Sequence, residues 1–257
     1  MQLTMTLTAA ASIIVTIDGP AGTGKSTVAS GLARRLGLEF LDTGAMYRAI
    51  AWRALESGID PRDEERITAL ALASTLRFDW KADPPELFID GRPCGESIRT
   101  PAVTAAVAII ACNANVRRAM VRQQRAIAAA HPRLVTEGRD QGSAVFPDAT
   151  VRIYLDASPE IRAQRRAEQL QAKGVHIDAA AILESIVSRD ASDRARSEGP
   201  LVRPVGADVV DTGHLDVESV VDALELIVRK HATRTHGLPP RAPHGLVDDL
   251  SSKDRPS

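Results

Sequence analysis

Residues 19–26 read Gly-Pro-Ala-Gly-Thr-Gly-Lys-Ser and fit G-x-x-x-x-G-K-[ST] at every position. Such a loop can cradle phosphate. Its glycines let the backbone wrap with N–H groups turned inward, and a helix starting behind it aims its positive end at the same point. Lys25 adds a mobile positive charge for the β- and γ-phosphates, and the Ser26 hydroxyl can hold Mg2+. Gly19, Pro20, Ala21, Gly22, Thr23, Gly24, Lys25, Ser26 and Thr27 are therefore expected to bind the phosphates of ATP or GTP. The bland alternative is a glycine-rich turn with an exposed lysine. The β-branched run before the loop and the amphipathic segment after it argue against that.

Arginines recur at predicted turns and helix ends: Arg48, Arg99, Arg117, Arg139, Arg165, Arg166, Arg189, Arg194 and Arg196. Taken singly, each is an ordinary surface charge. Together they suit a phosphoryl transferase, which must bring two phosphorylated groups together against their repulsion. The planar fork of arginine matches phosphate better than a lysine does. A switch GTPase would need an Asn-Lys-x-Asp motif to read guanine, and the chain has none. Leu155-Asp156 could be the acidic strand end of a mechanical ATPase, but many strand ends look the same.

The elements that must place these residues alternate. Ile-Ile-Val-Thr-Ile from Ile13 reads as a strand, followed by Asp18, the glycine loop, and a helix from Ser26 to Leu36 that stops at Gly37. Glu39–Leu41 is a second strand. Helices are expected over Ala45–Gly58 and Pro61–Ser74. Leu76–Trp80 and Leu87–Ile89 are short β-like runs with a turn at Asp90-Gly91, a small antiparallel insert. Pro101–His131 is one long helical stretch, bent or broken near Asn113. Leu134–Thr136, Val151–Leu155 and Ala207–Val210 complete five strands, with helices over Pro159–Lys173, Ala179–Ser188 and Val217–His231. Strands alternating with helices predict an α/β fold, a parallel sheet covered on both faces. The charges of Glu160, Arg162 and Arg165 read as a solvated helix face.

The formal net charge is −1, so no whole-molecule field points to a nucleic acid or a membrane. No stretch approaches the roughly 20 apolar residues that span a bilayer. Cys94 and Cys112 have no metal-ligand spacing and fit a reduced, cytoplasmic protein. Residues 1–12 read as a ragged leader, with Met5 a possible second start, and 232–257 as a disordered tail. A monomer is expected.

Beyond the phosphate loop, three further segments follow in order: Asp42-Thr43-Gly44-Ala45-Met46-Tyr47-Arg48, Glu137-Gly138-Arg139-Asp140 and Arg189-Asp190-x-x-Asp193-Arg194-x-Arg196. With them the chain, from about Ile13 to Lys230, resembles the bacterial cytidylate kinases. The resemblance implies a P-loop nucleoside monophosphate kinase fold over 13–231. Its five-stranded parallel core would carry an acceptor-binding insert at about 43–99 and a helical lid at about 161–196. It implies ATP and Mg2+ as cofactors and CMP or dCMP as acceptor. Arg48, Arg139 and Arg196 would hold the acceptor phosphate. Thr43, Arg117 and Asp140 would read the cytosine, Arg189 and Asp193 the sugar hydroxyls, and Arg165 the ATP phosphates. A carboxylate suits cytosine because it accepts from the exocyclic amine, where uracil offers a carbonyl. One position departs: Ala108 stands where these kinases often have a serine facing the base, with Thr104 one helical turn earlier as a substitute. A kinase preferring UMP or AMP, or a regulatory nucleotide-binding protein without transferase activity, remains the competing reading.

Overall fold

The computed structural model describes residues 11–172, 174, 178–233 and 236–241. The leader up to residue 10 and the tail from 242 onward lie outside them. The described chain runs through strand β1 (Ile13–Asp18), helix α1 (Lys25–Leu36), strand β2 (Glu39–Asp42) and helices α2 (Thr43–Glu56) and α3 (Glu64–Ala73). Short strands β3 (Leu76–Asp79), β4 (Glu86–Ile89) and β5 (Arg92–Pro93) follow, then α4 (Pro101–Ile110) and α5 (Ala114–Ala130). Next come β6 (Arg133–Gly138), β7 (Val151–Asp156), α6 (Pro159–Gln171), α7 (Ala179–Ala195), β8 (Asp208–Asp211) and α8 (Val217–His231).

Five of the strands form one parallel sheet in the order β2-β6-β1-β7-β8. Alternation along the strands divides its apolar side chains between two cores. Ile13, Val15, Ile17, Ile153 and Leu155 face α1 and α8, where Val28, Leu32, Leu36, Leu224 and Val228 meet them. Leu41 and Leu134 belong to the other core, built with Met46, Ile50, Val116 and Met120 of α2 and α5. Each fully buried side chain of this size contributes roughly 1.5–3 kcal/mol. With both faces covered, ligands are left the rim at the carboxyl ends of the strands. The phosphate loop and Asp42, Gly138 and Asp156 all stand there.

The antiparallel insert is three-stranded, in the order β3-β4-β5. Asp90 (φ 50) and Gly91 (φ 77) form its turn as expected. Strand β5 escaped the sequence reading because it is two residues long and contains Pro93, tolerated at an edge. The helical stretch from Pro101 is two helices. Asn113 breaks it by turning its side chain onto the N–H groups of Asn115 and Val116, at 2.9 and 3.2 Å. Helix α7 runs on to Ala195, seven residues past the expected Ser188, so Arg189, Asp193 and Arg194 are helical. The tail is not free from Ala232 onward. Leu238 packs against the α1–α8 core, and Arg133 donates to the carbonyls of His236 and Gly237. Cys94 is buried, Cys112 is exposed, and both are free. Among the described residues, no helix is long and apolar enough to cross a membrane.

Candidate active site

The phosphate loop leaves β1 under a steric constraint. A Cβ on Gly19 would lie 2.2 Å from the carbonyl oxygen of Leu155 in the neighbouring strand, so only glycine fits. Gly24 caps α1 in the left-handed region at φ 83, turning the loop into the first helical turn. Lys25 folds back over the loop. Its Nζ donates to the Pro20 carbonyl at 2.7 Å and reaches Thr23 Oγ1 at 3.5 Å, and the residue is only 5 % exposed. Burial pushes its amine down from 10.5 to about 7, and Arg139 adds to this, against the opposing pull of Glu137 and Asp18.

Beside the lysine, Ser26 donates to Glu137 Oε1 at 2.9 Å. Strands β2 and β6 register Asp42 next to Glu137. Burial, then the Glu137 charge, raises the Asp42 carboxyl to about 7. Thr43 donates to the Glu137 carbonyl at 2.7 Å, which fixes the start of α2 against the end of β6. Hydroxyl and carboxylate thus flank the loop lysine, a donor set of hard oxygens suited to Mg2+, which usually takes few protein ligands alongside phosphate and water.

Four arginines from three places converge next to it: Arg48 from α2, Arg139 after β6, Arg189 from α7 and Arg196 just beyond it. Arg189 is brought down to about 10, first by burial and then by Arg139, with Arg48 and Arg196 contributing and Asp193 opposing. Arg48 is lowered as well, by burial ahead of the charges of Arg99 and Arg139. Asp42 and Glu137 act on Arg48 as opposing charges, and Asp193 does so on Arg189. Asp193 is almost fully buried and accepts from Arg139 Nε at 2.9 Å and from Arg196 Nη2. Arginines packed closely enough to repel one another make a ready site for a phosphate dianion.

A second pair lies apart from this cluster. Arg117 Nη2 donates to Asp140 Oδ2 at 2.5 Å, with side chains 4 % and 7 % exposed, and the guanidinium sits 5.6 Å from the centre of the Tyr47 ring. Asp140 is the last residue before a wide turn over Gln141–Val145, a feature the sequence reading missed. Asp18 holds that turn. Its two oxygens accept from the N–H groups of Gln141 and Gly142, each at 2.7 Å. The residue that leads into the phosphate loop therefore also sets the backbone beside Asp140.

Burial, against those two hydrogen bonds, raises the Asp18 carboxyl from 3.8 to about 7. A raised carboxyl contributes stability that is fully present below about pH 4 and is lost as pH climbs to about 7. The stability advantage of wild type over Asp18→Asn is therefore expected to shrink across that window, by at most about 4 kcal/mol, and to level off above it. Urea unfolding at a series of pH values checks this. A difference that stays constant from pH 4 to 7 would show that Asp18 titrates normally.

The structure thus gathers Lys25, Ser26, Thr43, Arg48, Arg139, Arg189, Asp193 and Arg196, with Arg117 and Asp140 as a neighbouring pair. Arg165 stands elsewhere, donating to Thr212 and Gly213 in the loop before α8, where the Thr212 hydroxyl reaches the Thr23 carbonyl. Thr104 accepts from Arg48 Nη1 at 3.5 Å, which puts its oxygen on the side of the arginine cluster, and Ala108 is exposed. Asp18, Glu137 and Arg162 had not been read from the sequence as part of the site. Arg162 in particular is 2 % exposed, not the solvated charge its helix pattern suggested.

A family model described as cytidylate kinase matches residues 15–230. A cytidylate kinase of Pelotomaculum thermopropionicum is 43 % identical over 208 residues, covering 80 % of this chain and 92 % of its own. One of Mycobacterium avium is 42 % identical over 222 residues, covering 86 % and 97 %. A third, of Caldanaerobacter subterraneus, is 41 % identical over 220 residues, covering 86 % and 96 %.

Proposed function

Since this chain belongs to the cytidylate kinase family and is a phosphotransferase, we propose how its residues move the γ-phosphoryl group of ATP onto CMP and dCMP. The observation that carries the reading is the arginine cluster beside the buried loop lysine, with the Arg117–Asp140 pair one step away. The loop from Gly19 to Thr27 binds the ATP phosphates. Arg48, Arg139 and Arg196 take the acceptor phosphate. Asp140 accepts from the cytosine amine, helped by Arg117 and Thr43. Arg189 and Asp193 face the sugar. The Asp193 carboxylate has lone pairs enough for its two arginines and a hydroxyl. Arg165, already beside Thr23 through Thr212, serves the donor phosphates.

The acceptor phosphate is mostly dianionic near pH 7, so an in-line attack needs no general base. Catalysis then rests on alignment and on neutralising charge. Ser26, backed by Glu137, would hold Mg2+, which when bound supplies charge neutralisation on the β- and γ-oxygens. Lys25 neutralises charge from the other side of the loop. Closure of α6 and α7 (the lid of about 161–196) over both nucleotides excludes water and limits wasteful hydrolysis. The segment of about 43–99 serves as the acceptor-binding insert. We place the enzyme in pyrimidine nucleotide metabolism, as a cytoplasmic monomer acting on free nucleotides. Size-exclusion chromatography with light scattering checks the monomer.

The test is ADP release with Mg2+ and ATP, offering CMP, dCMP, UMP, AMP and GMP side by side. Strong turnover with CMP and dCMP alone is expected. Comparable turnover with UMP would keep the kinase and assign the relaxed choice to Ala108. No turnover with any acceptor would reject the reaction.

A further inference from the structure

Arg162 lies in the first turn of α6, outside the cluster of arginines assigned to the phosphates, and spends all three of its nitrogens on protein. Nε donates to the Ala157 carbonyl at the end of β7, at 2.9 Å. Nη1 donates to the Ala21 carbonyl inside the phosphate loop, at 3.0 Å. Nη2 pairs with Asp190 Oδ2 on α7 at 2.8 Å, with both side chains about 2–3 % exposed. Asp190 follows Arg189 directly and lies one helical turn before Asp193. A single buried guanidinium therefore touches the sheet rim, the ATP loop and the helix that carries two of the site's charged residues.

Apolar packing does not do this job. The apolar cluster between α6 and α7 is small, built on Ala163, Ile182 and Ile186 with a few half-buried neighbours, and it joins the two helices to each other. Between α7 and the ends of β7 and β8 lies a half-open pocket of about 470 Å³, bordered by Asp156, Arg162, Val187, Asp190, Arg194 and Asp211. The second oxygen of Asp190 is buried without a partner. Its ion pair with Arg162 ties this turn of α7 to the ATP loop, as Asp193 ties the next turn to Arg139.

We propose that Arg162 and Asp190 are positioning residues: a post at the base of the lid that fixes the start of α6 and the C-terminal turns of α7 to the ATP loop, while the outer turns of both helices close, and so sets the distance between donor phosphates and acceptor arginines. The proposal rests on the kinase reading above. Neither residue touches the reacting atoms. Their effect acts through alignment, where a displacement on the order of 1 Å costs about a hundredfold in rate.

The experiment uses the full chain and the double variant Arg162→Met with Asp190→Leu. Replacing a buried ion pair by apolar side chains of similar volume is often neutral for stability, so melting is expected near the wild-type temperature. Turnover with ATP and CMP is expected to fall by about a hundredfold, with each KM changed much less. A double variant with wild-type melting and wild-type kcat would overturn the proposal. Should it fail to fold, Arg162→Lys decides. That variant keeps a charge for Asp190 but loses the fork to Ala21. The expected result is a folded enzyme with kcat lowered about tenfold, and an unchanged kcat would overturn the post. Wild-type ADP release with CMP, measured alongside, separates the two ideas. Its absence tells against the reaction, whereas its presence with an unimpaired variant tells against the post alone.

Discussion

Lys25→Ala lowers turnover by about three orders of magnitude or more while the protein still melts close to the wild-type temperature. The two halves of this expectation have separate causes. Lys25 is buried with its amine pushed down to about 7, so the fold spends energy to keep a charge there. A depressed amine contributes stability that is present above about pH 10.5 and is lost as pH falls to about 7. At neutral pH the alanine variant therefore gives up little beyond the hydrogen bond to the Pro20 carbonyl. Function responds differently. The loop backbone and Ser26 stay in place for ATP, but the charge we propose to follow the γ-phosphoryl group through transfer is gone. Steady-state ADP release and thermal unfolding of the same preparation check both halves. Turnover above a tenth of wild type would remove Lys25 from the chemistry.

The second large effect is on the choice of base. Asp140→Asn keeps the side-chain volume but removes the charge facing Arg117, which leaves a guanidinium buried with the Ala111 carbonyl and the Tyr47 ring for company. Breaking a buried pair on one side costs about 3–5 kcal/mol when nothing replaces it. The amide still accepts a hydrogen bond, so a loss toward the lower end is expected. Recognition changes in kind, because an asparagine can donate to the uracil carbonyl where aspartate could only accept from the cytosine amine. The kcat/KM for CMP is expected to fall about 10- to 100-fold, matching roughly 1–3 kcal/mol for one base contact, and UMP to gain relative to CMP. The KM for ATP stays near wild type. The CMP-to-UMP ratio is the quantity to read, since it does not depend on how much of a destabilised variant is folded. An unchanged ratio would take base reading away from Asp140.

Asp18→Asn bears on the same turn from behind. If the Asp18 carboxylate holds the backbone of Gln141 and Gly142 in place, its effects should track those of Asp140 and not those of Lys25. The local order of the chain therefore matters here as much as the identity of the contact residues.

What the sequence determined by itself is whatever is contiguous. The phosphate loop is legible because eight adjacent residues supply glycines, lysine and hydroxyl between a β-branched strand and an amphipathic helix, and a backbone nest needs nothing from elsewhere. The parallel sheet is legible for a similar reason, since each strand and each helix announces itself through its own period. The family markers at Asp42–Arg48, Glu137–Asp140 and Arg189–Arg196 could be named, and Arg48, Arg139, Arg189 and Arg196 among them do converge. Partners distant in sequence were decided only by the tertiary structure. Arg162 shows the periodicity of a helix-surface charge, and nothing nearby reveals that Ala21, 141 residues away, and Asp190 will close over it. Asp18 reads as a strand end until the turn 123 residues later docks on it. Asp193 could be assigned to the site but not to its arginines, and Arg165 was placed by the loop at Thr212. A charge's own segment says which face of an element it occupies, whereas burial and pairing depend on what packs against that face, and that is fixed only when the chain has folded.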